Sequence, residues 1–291
     1  MLASILAAAA LSVAASSTDL RDLVAAVGGD RVRVESLTDP GHDPHTREIV
    51  PRQLALLKSA AVMVRVGLDH EPWLPRALAA AGASPRDVDV SRAVAVLDAD
   101  MPRVSANARP HLHAYGNPHY WLDPEHGRPI TARILEALAA ERPEDRAVLE
   151  ANRRRFLARL DAGLARWRVR LAPFAGARLV VVHDTWQYFA RRFGLAIAGA
   201  VEEQPGVPPS PTHLARLIDR MRGAGVRVLV AEPGAASAVV RRVADATGAR
   251  VVTLVPSVGA DPSATDYVAL FDVNVERLAR ALDGAARASS R

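Results

Sequence analysis

Residues 143–171 read PEDRAVLEANRRRFLARLDAGLARWRVRL, from Pro143 to Leu171. Leu149, Phe156, Leu160, Leu164, Trp167 and Leu171 form one apolar stripe at helical spacing. Pro143 suits the first turn of a helix, and Glu144 and Asp145 suit its positive N-terminal end. Pro173 and Gly176 stop the pattern. About 29 residues at 1.5 Å rise make a helix roughly 43 Å long. A helix of that length can run across two lobes rather than sit within one.

On both sides of this helix the chain alternates short apolar runs with amphipathic ones. Before it, Leu11 to Ser16, Val32 to Leu37, Ala61 to Val66 and the region Val88 to Leu97 read as strands. Asp19 to Val27, Arg52 to Ser59 and Trp73 to Ala81 read as helices between them. After it, strands over Arg178 to Val182, Leu195 to Val201, Val226 to Ala231 and Arg250 to Val255 alternate with four helices. These cover Trp186 to Phe193, Thr212 to Arg222, Ala236 to Thr247 and Asp266 to Leu282. Alternation of this kind predicts an α/β fold with parallel sheets flanked by helices. No internal repeat is strong enough to count.

The 291 residues suffice for two domains, each with its own core. A hydrophobic share of 49% and a charged share of 24% read as a soluble globular protein. The net charge is +5, and Lys58 is the one lysine. The arginines are interleaved with acids, as in Arg142-Pro143-Glu144-Asp145-Arg146, which describes a solvated surface rather than a nucleic-acid patch. The absence of cysteine excludes a disulfide scaffold, an iron–sulfur site and a thiolate zinc site. No Gly-x-Gly-x-x-Gly or Gly-x-x-x-x-Gly-Lys motif follows a strand, so a nucleotide site is not expected. Met1 to Ala10 is apolar and small, like the core of a secretory signal without its basic start. Residues 1–10 are therefore expected to be a shortened signal segment.

The chain has nine histidines. Three have surroundings that suit a ligand. His45 lies in the loop Gly41-His42-Asp43-Pro44-His45, His119 in Asn117-Pro118-His119-Tyr120-Trp121-Leu122-Asp123-Pro124, and His183 at the end of the strand Leu179 to Val182. Ligands of open α/β sheets bind beyond the carboxyl ends of the strands. Neutral imidazole suits zinc and other late first-row ions. His42, His70, His126 and His213 read as structural or surface residues.

Several motifs in order resemble the metal-specific solute-binding proteins of bacterial zinc and manganese ABC importers, the cluster A-I type. They are Gly28-Gly29-Asp30 with Val32-x-Val34, Asp43-Pro44-His45 with Pro51, and Gly67-Leu68-x-x-Glu71-x-Trp73-Leu74. Further on come Pro118-His119-x-Trp121-Leu122-Asp123-Pro124, His183-Asp184-x-x-x-Tyr188-Phe189 with Gly194-Leu195, and Tyr267 with Asn274. The resemblance covers nearly the whole chain from Leu11. It implies an N-terminal α/β lobe over 11–141, a linker helix over 142–174 and a C-terminal α/β lobe over 175–291. The metal would lie between the lobes, with His45 and His119 from the first and His183 from the second. Three imidazoles favour Zn2+ over Mn2+, which prefers oxygen ligands.

The fourth ligand is where the sequence departs from the family. Relatives often place an aspartate after the last-but-one strand, whereas Leu254-Val255-Pro256-Ser257-Val258-Gly259 holds no carboxylate. Glu232, at the end of a neighbouring strand, is the expected fourth ligand; Asp261, Glu202, Glu203 and water are alternatives. His111 and His113 stand where zinc-specific relatives carry a histidine-rich loop. The function implied is a periplasmic or otherwise extracytoplasmic receptor, monomeric and not an enzyme, that delivers a transition-metal ion to an ABC permease. A zinc-dependent hydrolase and a metal chaperone or adhesin of the same fold are the competing readings.

Overall fold

The structure is a computed structural model that describes residues 9–41, 50–97, 115–203, 207–235 and 238–289. The chain divides into two compact units. One comprises Met1–Val94 with Arg128–Leu157, the other Ala95–Gly127 with Ala158–Arg291. Each holds a four-stranded parallel sheet flanked by helices.

In the first unit the strands β1 (Leu11–Ala15), β2 (Val32–Ser36), β3 (Val62–Arg65) and β4 (Arg86–Asp89) lie in the order β2-β1-β3-β4. Helix α1 (Thr18–Gly28) follows β1, and Ser17 caps it by accepting the Leu20 N–H at 3.2 Å. Its Leu20, Leu23, Val24 and Val27 recur at helical spacing and are completely buried. Burial of each such side chain contributes about 1.5–3 kcal/mol. Helices α2 (Pro51–Ser59) and α3 (Leu74–Ala81) complete the alternation, with Leu57, Met63, Trp73, Leu74 and Ala77 in one core cluster. Between β3 and α3 the chain turns through Gly67, Leu68 and Asp69, all at positive φ (79°, 56° and 60°). The buried Glu71 carboxylate holds this turn by accepting the N–H groups of Val66 and Gly67 at 2.7 and 3.0 Å. Burial opposes its charge, but His70, Ser16 and the Val66 N–H outweigh that and hold the carboxyl below its usual range.

Two expectations for this region change. The strand expected over Val88 to Leu97 is β4, Arg86–Asp89, followed by a 3-10 turn over Val90–Ala93. Asp89 causes the break, because its carboxylate accepts both the Ser91 N–H and the Ser91 hydroxyl. A further helix, α4 (Gly127–Glu141), precedes the long one. The long helix is present as a 3-10 turn over Pro143–Asp145, α5 (Arg146–Leu171) and a closing 3-10 turn over Ala172–Phe174. All six residues of its apolar stripe are buried.

In the second unit β5 (Arg178–Val181), β6 (Ala196–Ala200), β7 (Val228–Ala231) and β8 (Arg250–Thr253) lie in the order β6-β5-β7-β8. Helices α6 (Gln187–Arg192), α7 (Pro211–Gly223), α8 (Ala238–Thr247) and α9 (Tyr267–Ser289) alternate with them. Leu217 and Met221 of α7, Val240 and Val243 of α8, and Val180, Leu229 and Ala231 of the sheet form its core cluster. Every strand pairing in both sheets is parallel, so all the carboxyl ends of a sheet lie along one edge. No described helix is long and apolar enough to cross a membrane.

Candidate metal centre

His119 sits at the entry of a 3-10 turn over Tyr120–Leu122 and is 7% exposed. Asn117, two residues earlier, fixes it. The Asn117 side-chain oxygen accepts the His119 backbone N–H at 3.0 Å and faces the ring Nδ1 at 2.9 Å. The Asn117 amide nitrogen donates to the Asp184 carbonyl at 3.2 Å. With a carbonyl on one side and an N–H on the other, the amide has one sensible orientation. His119 Nδ1 must then carry the proton, and the lone pair is on Nε2. This is how metal-binding imidazoles are commonly held.

The rest of the motif anchors this turn. The Tyr188 hydroxyl donates to the Asn117 carbonyl at 2.7 Å and accepts the Leu97 N–H at 2.8 Å. The Trp121 indole lies against His119, with ring centres 5.3 Å apart, and donates to the Pro256 carbonyl at 3.0 Å. The Tyr267 hydroxyl donates to the Trp121 carbonyl at 2.7 Å. Asp123 receives a two-pronged contact from Arg192 on α6, at 2.7 and 2.8 Å.

His183 follows β5 at the carboxyl end of its sheet. Its ring meets that of His119 edge-on, with centres 5.7 Å apart. A zinc–nitrogen bond of about 2.0–2.1 Å puts each ring centre about 3.2 Å from the ion, so a tetrahedral angle separates two ring centres by about 5.2 Å and a 120° angle by about 5.5 Å. The observed pair is within about half an ångström of that bite. His183 Nδ1 faces the Glu202 carboxylate at 3.8 Å. Burial opposes protonation of His183, but the neighbouring Glu202 carboxylate and the negative charges of Glu232 and Asp184 outweigh it and raise the imidazole above its ordinary 6.5.

Glu232 directly follows β7 and accepts the Trp186 indole N–H at 2.8 Å. Burial raises its carboxyl above the usual range, against the opposing pull of Trp186 and His183. It borders His183 electrostatically, as does Glu202. The other carboxylates expected as alternatives are committed elsewhere. Asp261 accepts the Arg277 guanidinium and the Ser263 N–H, at 2.7 and 2.9 Å. Glu203 pairs with His213 and Ser210.

The structure therefore brings together His119 and His183, with Glu202 and Glu232 beside the latter, all in one compact unit; the family resemblance assigned the two histidines to different lobes. His45, His42, His111 and His113 lie outside the described residues. Among the described residues no group of three His, Asp or Glu side chains is disposed to hold an ion. His70 is buried beside Glu71 in the first unit, and His126 is held by the Tyr120 carbonyl at 2.9 Å. Sequence reasoning did not single out Asn117, Trp186 or Arg192. Asn117 and Trp186 stand within three residues of a candidate histidine, and that proximity was the available signal.

Residues 13–281 match the family described as zinc-uptake complex component A, periplasmic. The chain is 32% identical over 138 residues to the high-affinity zinc uptake system protein ZnuA of Brucella abortus, a stretch that covers 47% of this chain and 41% of that protein. It is 27% identical over 267 residues to ZnuA of Yersinia pestis, covering 84% of each. A crystal structure of a zinc-bound ZnuA lacking residues 138–173 superposes with a TM-score of 0.79 at 29% identity, covering 94% of this chain and 98% of that one. With nearly its whole length matched and all three histidine motifs inside the match, the chain belongs to the family of periplasmic zinc-uptake component A proteins.

Proposed function

We propose that the protein captures a transition-metal ion, zinc in preference to manganese, and hands it to an ABC permease. The observation that carries this reading is the His119–His183 pair, with ring centres 5.7 Å apart and each Nδ1 facing a side-chain oxygen, of Asn117 and of Glu202. Two imidazoles whose ring centres stand close to the separation zinc would give them suit a late first-row ion better than an oxygen-loving one. His45 supplies the third imidazole and Glu232 the fourth ligand. The names of the relatives, as zinc uptake proteins, agree with zinc as the cargo. The receptor works outside the cytoplasm as a monomer. It binds without catalysis: a receptor surrounds its ion with protein donors, whereas a hydrolase must leave a position open for water and substrate.

The test is competitive titration of the purified protein with zinc and manganese, alongside His119→Ala. One tightly bound zinc per chain, lost or strongly weakened in the variant, supports the receptor. A preference for manganese refutes the imidazole-rich site, and no tight binding of either ion refutes the receptor reading altogether. Hydrolysis of ester or peptide substrates by the zinc-loaded protein would replace it with the enzyme.

A further inference from the structure

Glu202 and Glu203 are consecutive and serve two different imidazoles. Glu202 faces His183 at 3.8 Å, whereas Glu203 Oε1 faces His213 Nδ1 at 3.3 Å. His213 lies in the first turn of α7, and its side chain is 12% exposed, against 47% for Glu203. The other ring nitrogen, Nε2, is 2.9 Å from the Ala200 carbonyl, which only accepts. Nε2 therefore carries the proton, and in neutral His213 the Nδ1 lone pair points at a carboxylate. Two groups of electron pairs 3.3 Å apart need a cation between them, either a proton on Nδ1 or a metal ion.

The geometry suits the metal. With bonds of about 2.0–2.1 Å to nitrogen and oxygen, a tetrahedral zinc separates its two donor atoms by about 3.3 Å. Ser210 orients the carboxylate, donating its hydroxyl to Glu203 Oε2 at 3.2 Å and leaving Oε1 for the ion. Ser210 Oγ also accepts the His213 N–H at 3.2 Å, so one hydroxyl positions both donors. The Ala200 carbonyl does for His213 what Asn117 does for His119, holding the far nitrogen so that the near one presents a lone pair.

We propose that His213 and Glu203, oriented by Ser210 and the Ala200 carbonyl, form a second, weaker site for a late first-row divalent cation, separate from the His119–His183 pair. It is weaker because it has two strong protein donors, with water completing the shell, and because the positive end of α7 opposes a cation there. It is a site of rapid exchange, next along the chain from the carboxylate that borders His183.

Zinc titration followed by calorimetry on the full chain tests this, using wild type, His119→Ala, His213→Gln and Glu203→Gln. The wild type should show one tight and one weaker event. His213→Gln and Glu203→Gln should each abolish the weaker event and leave the tight one unchanged. His119→Ala should do the reverse, so failure of the main site and failure of this one are read separately. Glu203 is exposed enough for its variant to fold, and circular dichroism checks all four proteins. A single event in wild type overturns the proposal, as does a weaker event that survives both His213→Gln and Glu203→Gln.

Discussion

Asn117→Ala removes no metal ligand, yet it should damage the metal site. Asn117 is 4% exposed and meets three groups: the His119 N–H, the His119 ring Nδ1 and the Asp184 carbonyl. Truncation strips the buried His119 N–H of its acceptor, at about 1–3 kcal/mol for a group left unsatisfied, whereas exposed Asp184 turns to water. It also releases the ring, which can then rotate or place its proton on Nε2, where the metal must bind. Loss of such outer-shell support typically costs about 10–100-fold in metal affinity. At 1.4 kcal/mol per factor of ten, that is roughly 1.4–2.8 kcal/mol of binding energy. His119→Ala should cost more, since it deletes the donor itself. The assay is zinc affinity by competition with a chromogenic chelator, with urea unfolding of the metal-free protein in parallel. Folded Asn117→Ala that binds zinc within about threefold of wild type, against the 10–100-fold expected, would refute the assignment of the His119 tautomer to Asn117.

Three further outcomes follow from the same contacts. Zinc affinity should fall about tenfold per pH unit below the raised value of His183, because the ring must be neutral to bind. Metal-free stability runs the other way: the charged ring's contribution is complete below 6.5 and is lost as pH rises through the raised value. Glu202→Gln should move both transitions to lower pH, and titration of the His183 ring by NMR checks this. Arg192→Met should lower stability by about 1–3 kcal/mol in urea unfolding, since it removes the cation from the Asp123 carboxylate, 9% exposed, and leaves it the Glu125 N–H, while Arg192 itself is partly solvated at 28%. Gly67→Ala should cost about 2 kcal/mol or more. The position has φ +79°, and an added Cβ would collide with the Asp89 carboxylate; the urea midpoint reads it.

The stripe from Leu149 to Leu171 was legible because a long helix repeats one signal many times, and it comes out fully buried. The strands around it were legible as short apolar runs, and a parallel sheet brings their carboxyl ends to one edge. What escaped was set by single side chains or by partners distant in sequence. Asp89 ends β4 through hydrogen bonds to Ser91, so an apolar run continuing to Leu97 gave no warning. Ile130, Ile134 and Leu138 repeat at helical spacing in α4 and are buried, but Gly127 and Pro129 at its start obscure the pattern. Asn117 gains its meaning only when the Asp184 carbonyl, 67 residues away, fixes its amide.

The carboxylates beside His183 bear on capture and release together. Glu202 and Glu232 raise the proton affinity of the ring, and burial raises that of Glu232 itself. Before metal arrives, His183 and Glu232 therefore each hold a proton more firmly than the isolated groups would. A dication entering the cluster displaces those protons, since ligation needs a neutral ring and an ionised carboxylate. The same negative charges that draw the ion in thus make its binding pH-dependent, and the proton is the natural competitor for its release. Glu202 can serve in this way without touching the ion. Its carboxylate, 3.8 Å from Nδ1, places negative charge beside the ring that pairs with His119.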